Sequence, residues 1–245
     1  QNVCVGEGKA MKMLKAERQD KILEILSLEN KIIASELSVR LEVSEDTIRR
    51  DIKELDQRGL LKKVHSGAVK NGPLKEDFDA RIDLNLEEKI RLAKKGAELI
   101  KPGSVILIDD GTTNYQVIKQ LDKHMRCTVI TNSIPIILLL RDYPNIDVIT
   151  LGGNLYKSSM ATYGYEVIKQ LELLHPDLYF MGIYCMSSEV GISHSSMEEC
   201  QLKQKMLSVS YQTAALVTKE KIGSVSNYVI CKTGDITYLI TDSDQ

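Results

Sequence analysis

A run of acidic, glycine and hydroxyl residues follows the apolar stretch 105–108 and precedes a helical pattern that starts at Tyr115; it reads Asp109-Asp110-Gly111-Thr112-Thr113-Asn114. A glycine-containing turn between a strand and a helix offers free backbone N–H groups and the positive end of the helix dipole, which suit a phosphate. A helix capped by threonine and asparagine, with no ligand, is the alternative. Other apolar stretches also end in small polar residues, at Thr131-Asn132-Ser133, Leu151-Gly152-Gly153-Asn154 and Met181-Gly182. Because parallel sheets bind ligands at the carboxyl ends of their strands, these turns favour an anion site.

A second set of residues has the types and spacing to bind nucleic acid. Ser44 is a favourable N-cap, and Glu45 and Asp46 suit the positive end of a helix dipole, so a helix is predicted to begin here. At about 100° per residue the apolar residues fall on one stripe, which consists of Ile48, Ile52 and Leu55. The other sides present polar and charged residues, namely Thr47, Arg49, Arg50, Lys53 and Gln57. An ordinary surface helix with solvated charges is the alternative, and the neighbouring elements argue against it.

The elements around this helix favour a winged helix-turn-helix. Helical spacing predicts two earlier helices, at 17–28 and 33–41, and a very short turn separates the second from the third. Residues 60–69 predict two short strands around a Ser-Gly turn, which form the wing. The segment 58–70 contains no Asp or Glu, and its basic residues are Arg58, Lys62, Lys63 and Lys70, with His65 beside them.

These elements predict how the domain meets DNA. We expect the third helix to lie in a major groove with Thr47 facing the DNA and Arg50 or Lys53 on base edges. The residues expected nearer the phosphates are Ser44 and Arg49 on the helix, and Lys62, Lys63 and His65 on the wing.

Composition restricts the classes of protein that fit. The 245 residues are 43% hydrophobic and 27% charged, which fits one large or two ordinary domains and excludes a disordered or fibrous chain. A net charge of −2 means that any DNA contact comes from a local basic patch. Five irregularly spaced cysteines indicate reduced core thiols rather than disulfides or a zinc site, and no metal or cofactor is expected. The apolar run 134–140 is too short to span a bilayer, so we expect a cytoplasmic protein without a membrane partner.

The rest of the chain alternates between helical and strand patterns. A helix is predicted at 86–100, and continuous apolar runs predict strands at 105–108, 128–131, 148–151, 178–181, 214–217 and 238–240. Buried strands joined by helices form a mostly parallel sheet. Residues 71–85 show no clear period and are predicted as a linker, which gives a winged helix-turn-helix domain at 14–70 and an α/β domain at 86–245. Residues 1–12 show no periodicity and are assigned to neither domain.

The first domain resembles the N-terminal part of DeoR-type transcriptional regulators. The resemblance is carried by Ser44-Glu45-Asp46-Thr47-Ile48-Arg49-Arg50-Asp51, Leu55, Gly59-Leu60-Leu61 and Val64-His65-Ser66-Gly67-Ala68. Two positions depart from the family pattern: Lys63 stands where arginine is usual, and Ser66 where the first of two glycines is usual. Lysine keeps the charge but loses bidentate geometry, which favours a wing contact with phosphate over one with a base.

The second domain is similar to the C-terminal sensor domain of the same family. The similarity lies in Lys89, the 109–113 turn, Thr131-Asn132-Ser133, Gly152-Gly153, Gly164, Asp177, Gly191, Glu199 with Met206, Lys221-Ile222-Gly223 and Thr241-Asp242. That sensor domain is related to sugar-phosphate isomerase folds and binds phosphorylated sugars. The resemblance therefore implies an effector site built from Asp109, Gly111, Thr112, Thr113, Asn132, Gly152, Gly153, Glu199 and Lys221. The departures are Asp110 for a small residue, Cys185 for a glycine and Thr218 for an aspartate.

The sequence thus predicts a DNA-binding transcriptional regulator, a repressor of a sugar-metabolism operon, which is controlled by a phosphorylated sugar. Because one such module reaches only a half-site, we expect a homo-oligomer on a double-stranded operator. An isomerase-like enzyme is one alternative, with Asp109 or Glu199 as base and Lys221 as its electrostatic partner. A regulator that has lost sugar sensing is the other. The complete winged helix argues against the enzyme, and sugar-phosphate binding separates the remaining two.

Overall fold

The computed structural model describes residues 13–73 and 77–242. The chain divides into two structural units between Asn71 and Gly72. The predictions that fall on residues 1–12, 74–76 and 243–245 lie outside the described residues.

The described residues of the first unit form a helix-turn-helix with a small wing. In chain order its elements are α1 (Lys15–Glu29), β1 (Lys31–Ile33), α2 (Ala34–Arg40), α3 (Glu45–Gln57), β2 (Lys62–Val64) and β3 (Gly67–Asn71). Only residues 41–44 separate α2 from α3, and β2 pairs with β3 in an antiparallel hairpin. The predicted winged helix-turn-helix is therefore confirmed.

Local chemistry sets the ends of these helices. Asn30 adopts a left-handed conformation with φ of 61°, and its N–H donates to the Leu26 carbonyl at the end of α1. The Ser44 hydroxyl accepts a hydrogen bond from the Thr47 N–H at 3.3 Å, so Ser44 caps α3 as predicted. The apolar stripes of the three helices then meet in one core, whose helical members include Ile22, Leu26, Leu37, Ile48, Ile52 and Leu55.

A strand that the sequence did not reveal, β1, fixes the wing to the helices. It pairs antiparallel with β3, with Ile32 opposite Ala68, so β3 lies between β1 and β2. The two chains approach so closely that a Cβ atom on Gly67 would lie 1.9 Å from the Ile32 carbonyl oxygen. Gly67 therefore provides the space for this pairing. A strand of three residues is too short to show an alternating pattern. For this reason residues 31 and 32 were predicted to lead into the second helix and Ile33 to begin it.

A buried ion pair holds the third helix against the first. The Arg18 Nε lies 2.5 Å from the Asp51 Oδ2, and the two residues are 8% and 2% exposed. Gln19 adds hydrogen bonds from its Nε2 to Asp51 at 3.3 Å and to Glu54 at 3.0 Å. Asp51 follows Ile48 by three residues and precedes Leu55 by four, so it belongs to the buried stripe of α3. This polar member of the packing face was missed because its stripe was identified from apolar residues alone.

The second unit is an α/β structure. Its helices are α4 (Phe78–Ile82), α5 (Leu86–Ala97), α6 (Thr112–Lys119), α7 (Ile134–Leu140), α8 (Tyr165–Leu171) and α9 (Met197–Val209). Its strands are β4 (Val105–Ile108), β5 (Cys127–Thr131), β6 (Ile146–Thr150), β7 (Asn154–Tyr156), β8 (Ala161–Tyr163), β9 (Leu178–Met181), β10 (Cys185–Ser187), β11 (Gly191–His194), β12 (Gln212–Val217), β13 (Ser224–Val225), β14 (Tyr228–Cys231) and β15 (Tyr238–Thr241).

Six of these strands form one parallel sheet in the order β15-β12-β9-β4-β5-β6. They are the six strands that the apolar runs predict, so the predicted fold class is confirmed. Leu107 of β4 packs in the core on one face of the sheet, and its neighbours Ile106 and Ile108 pack in the other. Burial on both faces explains the continuous apolar run of this strand.

Two antiparallel elements were not predicted. β7 and β8 form a hairpin, and β10, β11 and β14 form a three-stranded sheet. Each of these strands has only three or four residues, which is too few for an alternating pattern to stand out from the surrounding loops.

Helix α4 lies inside the segment 71–85 that was predicted as a linker. Phe78 is buried, its ring meets the Tyr115 ring edge-on at 6.0 Å, and its N–H donates to the Ser158 carbonyl at 2.7 Å. The described part of the segment beyond residue 76 is thus packed into the second unit. The sequence did not predict α4, because this five-residue helix has only two apolar residues at helical spacing, Phe78 and Ile82.

The described cysteines are four, Cys127, Cys185, Cys200 and Cys231, and all four are buried free thiols. Among residues 13–73 and 77–242 no group of three or more His, Cys, Asp or Glu side chains is arranged to hold a metal ion. Within the same ranges no helix combines the length and the apolar character that crossing a membrane requires.

We predict that Asp51→Ala lowers the local free energy of unfolding of α1 and α3 by about 3 to 5 kcal/mol, because it leaves the buried Arg18 guanidinium without its partner. Hydrogen exchange of the full chain, resolved by peptide, measures this value. Glu54→Ala is the control on the same helix; it removes a solvent-screened pair with Lys15 and one hydrogen bond from Gln19 but leaves no buried charge without its partner, so its effect should be much smaller. Equal protection of α1 and α3 in the Asp51 variant and the wild type would contradict this role.

Candidate functional site

The first candidate site is the exposed side of α3. Arg49, Arg50 and Lys53 are exposed, and Thr47 is half-buried beside them. The opposite side of the helix holds the buried residues Ile48, Asp51, Ile52 and Leu55. The structure therefore places the charged residues on a surface that is free to meet a partner, at the position of the second helix of a helix-turn-helix.

Arg49 differs from Arg50 and Lys53 in its surroundings. Its guanidinium Nη2 lies 2.6 Å from the Glu45 Oε1, and its Nε donates to the same oxygen at 2.9 Å. This exposed pair lies along the first turn of α3. A phosphate that binds Arg49 must take the place of Glu45, so Arg49 contributes less to anion binding than its charge alone suggests.

The wing carries the remaining predicted DNA residues. Lys63 and His65 are exposed and Lys62 is half-buried. The Lys63 backbone N–H donates to the Asp56 carboxylate at 2.9 Å, which ties the wing to the C-terminal part of α3. The wing and the exposed side of α3 are therefore fixed relative to each other within the first unit.

The second candidate site is a cavity of about 300 Å³ in the second unit. It lies where β4 and β9 end, because Asp110, Gly111 and Gly182 line it. β4 has β5 on one side and β9 on the other, so the chain leaves β4 toward one edge of the sheet and later returns on its other side. Such a reversal point at the carboxyl ends of parallel strands is where open α/β sheets bind ligands.

The Asp109 carboxylate lies behind the lining of this cavity, where it contacts the lining residues Gly182 and Lys203. It is 1% exposed and accepts hydrogen bonds from the Asn114 amide at 2.9 Å, the Gly182 N–H at 2.7 Å and the Tyr179 hydroxyl at 2.6 Å. The Lys203 ammonium also donates to it at 2.6 Å. A Cβ atom on Gly182 would lie 2.7 Å from the Asp109 Oδ1, so a glycine is needed there. Asp109 is thus occupied by four donors from the protein itself.

Asp110 has a different environment. It lines the cavity, is 7% exposed, and lies 3.8 Å from the Lys203 Nζ. Burial raises the pKa of its carboxyl to about 6, Lys203 opposes that rise, and Glu199 and Asp109 add to it. The attraction of Lys203 for Asp109, together with that of Asp110 and Glu199, raises the pKa of the Lys203 ammonium in spite of its burial. We call Asp109, Asp110, Glu199 and Lys203 the acidic group.

Three cations also line the cavity, and we call Arg81, Lys89 and Lys221 the cationic group. Burial and the proximity of Lys221 lower the pKa of Lys89 to about 8. Burial also lowers the pKa of Lys221, and Arg81 adds to this effect. The Arg81 Nε is buried and has no hydrogen-bond partner among the described residues. Cations that destabilise one another beside a cavity create a binding position for an anion.

The N-terminus of α6 meets the same cavity. Gly111 is its N-cap, with φ of 135°, and no side chain caps the helix in the described structure. Gly111, Thr112 and Thr113 line the cavity, and the buried Thr113 hydroxyl has no hydrogen-bond partner among the described residues. Neither a threonine nor an asparagine side chain therefore caps this helix, in contrast to that part of the alternative prediction. The Asn114 amide binds Asp109 and the Phe180 carbonyl instead.

His194 and Glu199 also line the cavity. The His194 Nε2 lies 2.8 Å from the Glu199 Oε2, and its Nδ1 accepts a hydrogen bond from the Ser196 N–H at 3.0 Å. An acceptor at Nδ1 requires the tautomer with its proton on Nε2, so His194 is neutral and donates to Glu199.

The structure brings five of the nine expected effector residues to the cavity: Gly111, Thr112, Thr113, Glu199 and Lys221. Asp109 lies behind the lining of the cavity with its acceptor positions filled. Asn132 is buried and donates to the Thr162 carbonyl at 3.0 Å. Gly152 and Gly153 follow β6, where Gly152 exchanges hydrogen bonds with the Gln170 side chain. None of these four residues lines the cavity, and three of them, Asn132, Gly152 and Gly153, follow β5 and β6, which lie toward the edge of the sheet.

Among the cations that line the cavity, sequence reasoning missed Arg81 and Lys203 and included Lys89 only through the family resemblance. Arg81 lies in the segment predicted as a linker. Lys203 follows Glu199 by four residues and precedes Met206 by three, so the buried face of α9 carries all three. That spacing could have identified Lys203.

Comparisons with known proteins agree with this division of the chain. Residues 84–243 match the model of the DeoR C terminal sensor domain, and residues 18–73 match that of the DeoR-like helix-turn-helix domain. The HTH-type transcriptional regulator GolR of Listeria innocua serovar 6a is 36% identical over 94% of this chain and 92% of its own length. The HTH-type transcriptional repressor GlcR of Bacillus subtilis is 33% identical over 94% of this chain and 89% of its own. A solved ribose 5-phosphate isomerase A from Neisseria gonorrhoeae is 18% identical, covers 56% of this chain and 54% of its own, and has a TM-score of 0.42.

We predict that Asp110→Asn stabilises the ligand-free chain at pH 7.5 and does so less at pH 5. The pKa of Asp110 rises from its ordinary value of 3.8 to about 6 on folding, so its ionisation opposes folding. With Asp110 protonated, the free energy of unfolding has its full value. This is the case below pH 3.8, and that stability is lost as the pH rises through 6. The gain from the variant is therefore up to about 3 kcal/mol at pH 7.5 and roughly half of that at pH 5.

Thermal unfolding of both proteins at the two pH values measures this difference. Asp122→Asn, at an exposed aspartate after α6, is the matched control and should show no such dependence on pH. A gain that is the same at both pH values would mean that Asp110 does not titrate as described.

Proposed function

Because the chain belongs to the DeoR family of transcriptional regulators, we propose that it binds a double-stranded DNA operator through its first unit and a phosphorylated sugar through the cavity of its second. The observation that carries the effector part is the cationic group beside the uncapped N-terminus of α6. In this proposal the sugar phosphate controls the affinity for the operator of a sugar-metabolism operon. The protein acts in the cytoplasm, where its operator lies.

The DNA contacts follow from the exposed side of α3. Arg50 and Lys53 reach base edges in the major groove, and Thr47 flanks them. Ser44 and Arg49, at the start of the helix, lie nearer the phosphates. The wing adds phosphate contacts through Lys62, Lys63 and His65, which give affinity that depends on salt and little on sequence.

The effector contacts follow from the cavity. The phosphate binds to the backbone N–H groups of Gly111, Thr112 and Thr113 at the helix N-terminus and to the ammonium of Lys221. Arg81 and Lys89 extend this anion position. The sugar hydroxyls donate to Asp110 and Glu199, because ionised carboxylates accept hydrogen bonds and cannot donate them. Asp109 takes no direct part; it holds Lys203 and the turn that follows β4.

Repression is the mode of control that we propose. The relative GlcR is named as a repressor, and GolR as a regulator. An effector alters operator affinity only if it binds the DNA-competent and DNA-incompetent states unequally, and a coupling of about 1 to 3 kcal/mol changes that affinity about 5- to 150-fold.

The relatives GolR and GlcR are transcriptional regulators, and the structure does not support Asp109 as the base of an isomerase. A general base needs a carboxylate with a free acceptor position near the substrate proton. Asp109 lacks one, since four donors of the protein occupy it. The response to sugar phosphates still separates a sensing regulator from one that has lost sensing.

We also propose a homo-oligomer on the operator. A single helix-turn-helix contacts one half-site, and linking two such modules raises affinity without any new type of contact.

We predict that Arg50→Ala weakens specific operator binding by about 1 to 3 kcal/mol, because a bidentate contact with a base is lost, and that it weakens non-specific binding much less. Fluorescence anisotropy with operator and scrambled DNA measures both values. Lys21→Ala, an exposed lysine on α1, is the control.

A footprint of the wild type should cover two half-sites about one helical turn, or a multiple of it, apart. If Arg50→Ala and Lys53→Ala both bind operator like the wild type, α3 does not read the sequence. A footprint of one half-site at full affinity would argue against the oligomer.

We predict that Lys221→Ala leaves operator binding unchanged in the absence of effector and weakens the effector by about ten- to hundredfold, since a charge-assisted hydrogen bond of about 1.5 to 3 kcal/mol is removed. A panel of sugar phosphates titrated against the operator complex measures this response. Lys219→Ala, an exposed lysine in the same turn, is the matched control. An unaltered response of the Lys221 variant to the sugar phosphate that acts on the wild type would place the phosphate elsewhere.

A further inference from the structure

The acidic group of the cavity holds more negative than positive charge. It contains the carboxylates of Asp109, Asp110 and Glu199 and the single ammonium of Lys203. His194 adds no charge, because the Ser196 N–H donates to its Nδ1 and fixes the neutral tautomer. Some of this negative charge therefore remains without a matching cation in the acidic group.

Asp110 is the carboxylate of this group with the least compensation, although Lys203 and, more weakly, Arg81 attract it. Lys203 lies 2.6 Å from Asp109 but 3.8 Å from Asp110, so its short contact is with Asp109. Asp110 is buried, with only 7% of its surface exposed, and it lines the cavity. A buried carboxylate without a close donor is costly, and a ligand that supplies the donor regains that free energy on binding.

A second, independent observation points to a polar ligand in the same cavity. The Thr113 hydroxyl is buried, lines the cavity and has no hydrogen-bond partner among the described residues. Buried hydroxyls in proteins nearly always have a partner. A polar ligand in the cavity supplies one.

We propose that the effector carries an ammonium group in addition to its phosphate, and that it is a phosphorylated amino sugar whose ammonium binds Asp110. This inference depends on the proposed function, since the phosphate of the same ligand binds the cationic group. A sugar hydroxyl would also donate a hydrogen bond to Asp110, but it would leave the charge of the carboxylate uncompensated. An ammonium provides three donors and neutralises that charge.

Three ligands that differ only at one carbon test the proposal: glucosamine 6-phosphate, glucose 6-phosphate and N-acetylglucosamine 6-phosphate. The acetylated sugar keeps the nitrogen, but as an amide that nitrogen carries no charge. Isothermal titration of the full chain at pH 7.5 should give an affinity for the amino sugar at least about tenfold higher than for the other two. The corresponding galactose series, measured in parallel, covers the other ring stereochemistry.

Asp110→Asn is the decisive variant, because it removes the charge and keeps the shape. The ratio of the affinities for the amino sugar and the neutral sugar should fall to near one. Asp122→Asn, an exposed aspartate, should keep the ratio of the wild type. Thermal unfolding of both variants verifies that they are folded.

The outcomes separate this inference from the proposed function. If the neutral sugar phosphate binds as tightly as the amino sugar phosphate, or more tightly, in both the glucose and the galactose series, the proposed ammonium contact is overturned. The proposal of a sugar-phosphate effector then still stands. A preference for the amino sugar that persists in Asp110→Asn overturns the role of Asp110. Failure of every sugar phosphate to bind overturns the effector part of the proposed function, and this inference with it.

Discussion

The second unit depends on one buried contact, the ion pair between Asp109 and Lys203 at 2.6 Å. A carboxylate at the end of a central parallel strand is costly to bury unless its oxygens are hydrogen-bonded and its charge is matched. Asn114, Tyr179 and the Gly182 N–H complete its hydrogen bonds. These contacts connect β4, α6, β9 and α9, so the turn that begins α6 has a fixed position above the sheet. The N-terminus of α6 is thereby held toward the cavity.

The same principle operates in the first unit. Asp51 and Arg18 form a buried pair between α3 and α1, which fixes the rotation of α3 about its own axis. Because Asp51 faces inward, Arg50 and Lys53 face outward. In both units an aspartate whose charge is matched inside the protein defines which neighbouring polar groups remain available to a partner: Arg50 beside Asp51, and Asp110 beside Asp109. Asp109 and Asp110, two adjacent buried aspartates, thus have different roles because their distances to Lys203 differ.

The sequence predicted the elements that have a strong local signal. The six buried strands appear as continuous apolar runs, and α3 has both a capping serine and a clear apolar stripe. The short antiparallel strands and α4 have too few residues for a period, so they were missed. For the site, the Gly111 to Thr113 turn was predictable because strand, turn and helix are contiguous. Arg81 and Lys203 reach the cavity from elements far apart in the chain, and only the fold shows that they meet. Asn132, Gly152 and Gly153 were expected there because they follow strands, but their strands lie toward the sheet edge.

In the proposed function, the binding of a sugar phosphate in the cavity and the binding of the operator on α3 influence each other within one protein. Linkage makes this claim measurable, because the factor by which the effector changes the operator Kd must equal the factor by which the operator changes the effector Kd. Both constants are obtained by titrating the full chain with a sugar phosphate, with and without saturating operator DNA, and with operator, with and without saturating effector. The two factors should be equal and about 5 or more. An effector that binds with the same Kd in the presence and absence of operator would contradict it.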